Sequence, residues 1–212
     1  MFYKYYVIIS VLSKSKPKVA KISLINKGKY IMKNFIYNEM MVHVALCTHK
    51  NPENVLIIGD DNDKFAVEVK KHDSIRFDVI KADKDALRAV DDSKYNVIIS
   101  ELQNDAAVIA HYNRVLKDDG LLVINIPSLD EVQDTKNIME IVGKYTKIVM
   151  PFDIGEAKHA LLASKEYHPT ADIILHRADM LDNLDYYNCD VHPSAFAMGN
   201  YIRKEYLGII KN

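Results

Sequence analysis

The run Val55-Leu56-Ile57-Ile58 is wholly apolar and stops on Gly59, and helix-forming sequence resumes a few residues later. Such a run, ending in glycine, is how a buried parallel strand opens a nucleotide-binding turn. A phosphate would need more glycine to come close. The chain instead reads Asp60-Asp61-Asn62-Asp63, three carboxylates in four residues. Carboxylates there repel a phosphate from the helix N-terminus that would otherwise bind it. The turn suits a ligand carrying amines or a sulfonium.

Strands and helices alternate around this turn. Apolar spacing at Phe35, Ile36, Met40, Val44 and Cys47 predicts an amphipathic helix over 35–49, broken by Asn51-Pro52. Strands are expected at 55–58, 75–80, 95–100 and 121–126, with helices at 64–72, 84–90, 106–116 and 129–142 between or after them. Lys117-Asp118-Asp119-Gly120 reads as a C-cap turn with a left-handed glycine. Two last strands, 145–150 and 159–164, have only 151–155 and a few neighbours between them and should pair antiparallel. A helix near 171–184, an irregular stretch 185–191 and a helix starting near Pro193 close the chain. The pattern is α/β: a mostly parallel sheet covered by helices on both faces.

With 212 residues, the chain has room for one domain plus a small appendage, divided as 1–34 and 35–212. The 49% apolar fraction can fill a core, and a net charge of -1 gives no basic excess for nucleic acid. The 27% charged residues at that net charge suit a soluble, cytoplasmic protein, and no stretch approaches the length of a transmembrane helix. Residues 5–12 lie behind Lys4 like a signal-peptide core, but they lack a small-residue cleavage pattern, and a β-strand is expected. Residues 18–32 read as a β-hairpin whose lysines protect a solvated edge. Cys47 and Cys189 read as buried thiols, neither disulfide framework nor zinc site. The acidic turn lacks the spacing and glycine of a calcium loop.

Ligands of a doubly wound sheet sit beyond the carboxyl ends of its strands. Those ends supply 59–63, 81–83, 100–105 and Pro127-Ser128. Glu101 follows its strand directly, as a general base, an amine anchor, or a charge complementing a helix N-terminus. Asp83 could take a ribose hydroxyl or cap the next helix. His43 reads as a packed helix residue. His192, with Asn188, reads as satisfying backbone groups at a turn.

These residues resemble the spermidine synthase (polyamine aminopropyltransferase) family from about Lys18 to the C-terminus. FIYNEMMVH resembles its YHEM helix, NPENVLIIGDDND its VLIIGGGDG loop and YNVIISELQND its SDxxDP strand end. RVLKDDGLLV is similar to its LxPGG turn and strand, and HALLASK to its penultimate strand. YYNCDVHPSAFAM, at 186–198, is similar to its most specific signature, YYN-x-x-x-H-x-x-AF.

The resemblance implies a class I methyltransferase-like (Rossmann-like) sheet behind a small N-terminal β-hairpin domain, in a homodimer. It implies transfer of an aminopropyl group from decarboxylated S-adenosylmethionine, a co-substrate, to putrescine, with no metal or redox cofactor. Both substrates are cationic, in agreement with the acidic turn. Glu101 falls on the family's catalytic aspartate. Substrate-binding positions fall on Asn38, Gly59, Asp61, Asn62, Asp63, Asp83, Gln103 and Asn104. Asn38 replaces the histidine of YHEM, Asn62 and Asn104 replace aspartates, and Lys81 replaces the ribose-holding acid beside Asp83. The tyrosine between the last two strands is absent. So little sequence separates the helix after Asp83 from Tyr95 that one strand and its adenine contact are missing, which predicts an incomplete wall on the adenine side. The N-terminal domain reads as shortened. So many replacements leave open a catalytically silent relative that binds polyamines or nucleosides or serves as a dimer partner. A methyltransferase using ordinary S-adenosylmethionine is disfavoured, because that donor's carboxylate would meet Asp60, Asp61 and Asp63.

Overall fold

Strand β1 (Asn54–Ile58) is buried along Val55 to Ile58 and lies inside a sheet of order β2-β1-β3-β4-β6-β5. The computed structural model describes residues 34–60 and 63–212. The expected N-terminal strand and hairpin, and Asp61, Asn62 and the side chain of Asp63, lie outside the described residues. Elements follow in the order α1 (Asn34–Thr48), β1, α2 (Asp63–Val69), β2 (Arg76–Ile80), α3 (Lys84–Arg88), β3 (Tyr95–Ser100), α4 (Ala106–Val115) and β4 (Leu116–Asn125). After them come α5 (Val132–Val142), β5 (Ile148–Asp153), β6 (His159–Ser164), α6 (Leu175–Asp179), α7 (Val191–Ser194) and α8 (Asn200–Glu205). Strands β2, β1, β3 and β4 are parallel, and β6 runs antiparallel to both β4 and β5.

Alternation along each strand divides the core in two. Val55, Ile57, Val97, Ile99, Leu121 and Val123 pack with α1 and α2. Leu56, Ile58, Ile98, Leu122 and Ile124 pack with α3, α4, α5 and α8. Both faces are covered, which is why the strands read as unbroken apolar runs. Register brings Ile58, Ile80, Ser100 and Ile124 level with one another. The residues that follow, Gly59, Lys81, Glu101 and Asn125, therefore form one row along the carboxyl edge.

Several elements differ from the sequence expectation. Helix α1 is buried on every side from Glu39 to its end at Thr48, not amphipathic. Glu39 and His43 have distant partners, and the end of the helix is closed by Arg177 of α6, which donates to the carbonyls of Leu46, His49 (2.7 Å) and Lys50 (3.0 Å). Lys117 to Gly120 is no left-handed cap. Helix α4 runs straight into β4, and the register jumps from Tyr95↔Leu116 to Val97↔Leu121, so these residues bulge from the strand. Glycine is required at 120 for space, since a Cβ there would lie 2.8 Å from that of Leu116. Pro151 to Asp153 belong to β5, α5 starts three residues late, and the tail helix shrinks to α6. The last helical stretch is two short helices, with Pro193 inside the first. Cys47 is buried, which pushes its thiol up to about 11, but Cys189 is only half-buried.

Residues 89–94 lead from α3 directly into β3. Among the described residues β2 is therefore one edge of the sheet, and its residues are exposed or half-buried throughout. Among the described residues, too, no helix is long and apolar enough to cross a membrane.

Candidate active site

A cavity of about 590 Å³ opens at the carboxyl edge, beside the row that contains Glu101 and Asn125. Tyr37 and Asn38 from α1 and Lys64 from the first turn of α2 line it together with those two residues. Glu131, Ile154, Lys158 and His159 line it as well. The backbone N–H of Glu101 donates to Ile58 O at 2.8 Å, continuing the β1–β3 pairing by one residue and fixing where the carboxylate begins.

Glu101 Oε1 accepts the Tyr37 hydroxyl at 2.8 Å and the Lys64 ammonium at 2.7 Å. Asn125 Nδ2 in turn donates to Tyr37 Oη at 2.7 Å. Burial, with the Glu101 charge adding to it, pushes the Tyr37 phenol up, so it stays protonated and donates. The Lys64 ammonium also lies 5.2 Å from the Tyr37 ring centroid and 5.0 Å from that of Phe65. Burial pushes the His159 imidazole down against the opposing charges of Asp153 and Asp130, leaving it neutral at pH 7. Among the described residues, Asn38 Oδ1 and His159 Nδ1 are buried without a hydrogen-bond partner.

Of the sequence candidates, Glu101 and Asn38 reach the cavity wall. Gly59 is buried at the end of β1, where its N–H donates to Ile80 O. Asp83 is exposed and caps α3, accepting Ala86 N at 2.9 Å. Gln103 is exposed, while Asn104 braces the row by donating to Asn125 O at 2.9 Å. Sequence reasoning missed Tyr37, Lys64, Asn125 and His159. Asn125 carried a usable signal, a polar residue ending the apolar run Leu121 to Ile124.

The motif at 35–43 also meets the one at 186–198, through Glu39, in a lock whose residues do not line the cavity. Buried Glu39 accepts the N–H groups of Asp185, Tyr186 and Tyr187 at 2.8–2.9 Å. Tyr187 donates its hydroxyl to His192 Nδ1 at 2.7 Å, and His192 Nε2 donates to Pro169 O at 3.0 Å. Asn188 Oδ1 accepts from Asp190 N and Val191 N. His43 is likewise packed, bridging Glu68 and His72 at 2.9 Å each.

Burial pushes His192 down to about 4. The unfolded chain takes up that proton near pH 6.5, so stability is full above this value and falls as pH drops toward the folded pKa. Lowering the pH from 7 to 5 should cost about 2 kcal/mol through His192, and at least about 4 °C in Tm. Buried His43 and His72 act in the same direction. Thermal melts at the two pH values check this, and a Tm that holds or rises at pH 5 would contradict it.

The mostly parallel α/β sheet, with a carboxylate and its hydrogen-bonded supports at the carboxyl edge, has a Rossmann-like, methyltransferase-like fold. Residues 34–92 match the spermine/spermidine synthase domain. The polyamine aminopropyltransferase of Helicobacter acinonychis (strain Sheeba) is 28% identical over 211 residues, covering 84% of this chain and 79% of that one. That of Methanocaldococcus jannaschii is 27% identical over 213 residues, covering 76% and 72%. Spermidine synthase from Thermotoga maritima shares the fold with a TM-score of 0.71 at 23% identity, covering 81% of this chain and 74% of that one. The chain is thus similar to the spermidine synthase family in sequence and shares its fold.

Proposed function

We propose that the chain transfers an aminopropyl group from decarboxylated S-adenosylmethionine to putrescine or a similar amine. The observation that carries this reading is Glu101, which stands at the carboxyl end of β3 on a cavity wide enough for a small cation, with Tyr37 and Asn125 supporting its carboxylate. Its relatives' names support the reaction type. A spermidine synthase that binds the transition-state analogue AdoDATO has the same fold, with a TM-score of 0.70.

In the reaction, the neutral amine nitrogen attacks the carbon beside the sulfonium. The C–N bond forms as the C–S bond breaks, and its electron pair leaves on sulfur as a neutral thioether. The nitrogen's surplus proton passes to Glu101. Tyr37 holds the carboxylate and stays protonated, and Asn125 holds Tyr37. The resemblance implies no metal or redox cofactor and a homodimer, and the charge balance suits action in the cytoplasm.

Calorimetry with each substrate, followed by mass-spectrometric detection of the aminopropylated product, tests the reading. Binding of neither would sink it. A second reading, a silent relative, is favoured by the ion pair that already occupies Glu101. Binding of both substrates without product would select it.

A further inference from the structure

We propose that Lys64 is a built-in stand-in for the acceptor's ammonium group and holds the acceptor subsite closed until it swings aside. This inference rests on the aminopropyltransferase reading. A protonated amine is recognised by a carboxylate at hydrogen-bond distance and by aromatic faces, which attract a cation within about 6 Å of the ring centroid. Lys64 satisfies both requirements from within the chain. Its Nζ lies 2.7 Å from Glu101 and 5.2 and 5.0 Å from the Tyr37 and Phe65 ring centroids.

The ammonium and the carboxylate are each mostly buried, with side-chain exposures of 24% and 20%. The pair is thus screened less than a surface pair would be. It also cancels the charge that would attract a diamine to this end of the cavity. An incoming amine must displace Lys64 before it can touch Glu101. A lysine stem has the rotatable bonds to allow that, and Lys64 sits in the first turn of α2, partly open to solvent.

If Lys64 covers Glu101 in about nine molecules of ten, the apparent Kd for the amine is raised about tenfold over that of the open site. The test titrates putrescine, and separately decarboxylated S-adenosylmethionine, into wild type, Lys64→Met, Lys64→Arg and Lys64→Met/Glu101→Gln. Methionine keeps the apolar stem, and a thermal melt checks that each variant is folded. Lys64→Met should bind putrescine at least about tenfold tighter than wild type, with donor affinity unchanged. Lys64→Arg, still able to pair with Glu101, should remain as weak as wild type, and the added Glu101→Gln should abolish the gain. Equal putrescine affinity in wild type and Lys64→Met would overturn the occlusion and leave the transferase reading standing. Donor binding by both with putrescine binding by neither would place the acceptor elsewhere and also overturn it. Binding of neither substrate to any folded variant would remove the transferase reading itself, and the occlusion with it.

Discussion

Exchanging Glu101 for glutamine is expected to slow aminopropyl transfer at least about a hundredfold while leaving the affinity for the donor unchanged. Glutamine has nearly the same size, and its carbonyl oxygen can still accept the Tyr37 hydroxyl that now lies 2.8 Å away. It cannot take a proton at neutral pH. The attacking amine would then have to lose its proton to water, without a base in the cavity. Because the carboxylate acts on the acceptor and not on the sulfonium donor, the loss should fall on kcat and on acceptor affinity. Glu101→Asp should retain measurable transfer at a reduced rate, since it keeps the base but withdraws it by about an ångström. Rates at saturating donor, with donor Kd by calorimetry, separate these outcomes. A Glu101→Gln enzyme as fast as wild type would exclude Glu101 as the base.

The sheet was legible because burial on both faces makes each parallel strand an apolar run, and each run ends where the sheet ends. Val55 to Ile58 into Gly59 and Tyr95 to Ser100 into Glu101 needed nothing beyond that rule. The same rule would have delivered Asn125, but the strand was extended to 126 and its end read as Pro127-Ser128. What spacing could not supply was pairing across the chain. Glu39, His43 and His49 have partners that helical spacing cannot reveal, at 185–187, at 68 and 72, and at 119. Lys64 carries no signal of its own in the sequence, where it only opens the helix expected at 64–72. Only the fold brings it to Glu101, 37 residues away. Lys117 to Gly120 misled for the opposite reason, since its residues suit a helix cap that the pairing of β4 with β3 overrides.

Glu39→Ala is expected to destabilise the protein by at least about 3 kcal/mol, because it strands backbone donors that one carboxylate now satisfies. Glu39 is 2% exposed and accepts from Asp185, Tyr186 and Tyr187 on a single turn of chain. Water can replace the carboxylate at Asp185, which is exposed, but not easily at Tyr187, which is 3% exposed. Each buried donor left unmet costs about 1–3 kcal/mol, and the emptied pocket adds a cavity term. Glu39→Gln should cost less, about 1–2 kcal/mol, since its oxygen can still serve the two donors that now share Oε2. The damage should also reach the active site: Glu39 lies two residues after Tyr37 on α1, so loosening this lock lets Tyr37 drift from Glu101. Urea unfolding of the two variants against wild type gives the stabilities, and a loss below about 1 kcal/mol for Glu39→Ala would mean that solvent reaches the 185–187 turn freely. If the lock positions Tyr37, the Glu39→Gln enzyme should also transfer more slowly at temperatures where it remains fully folded, which a purely global loss of stability would not produce.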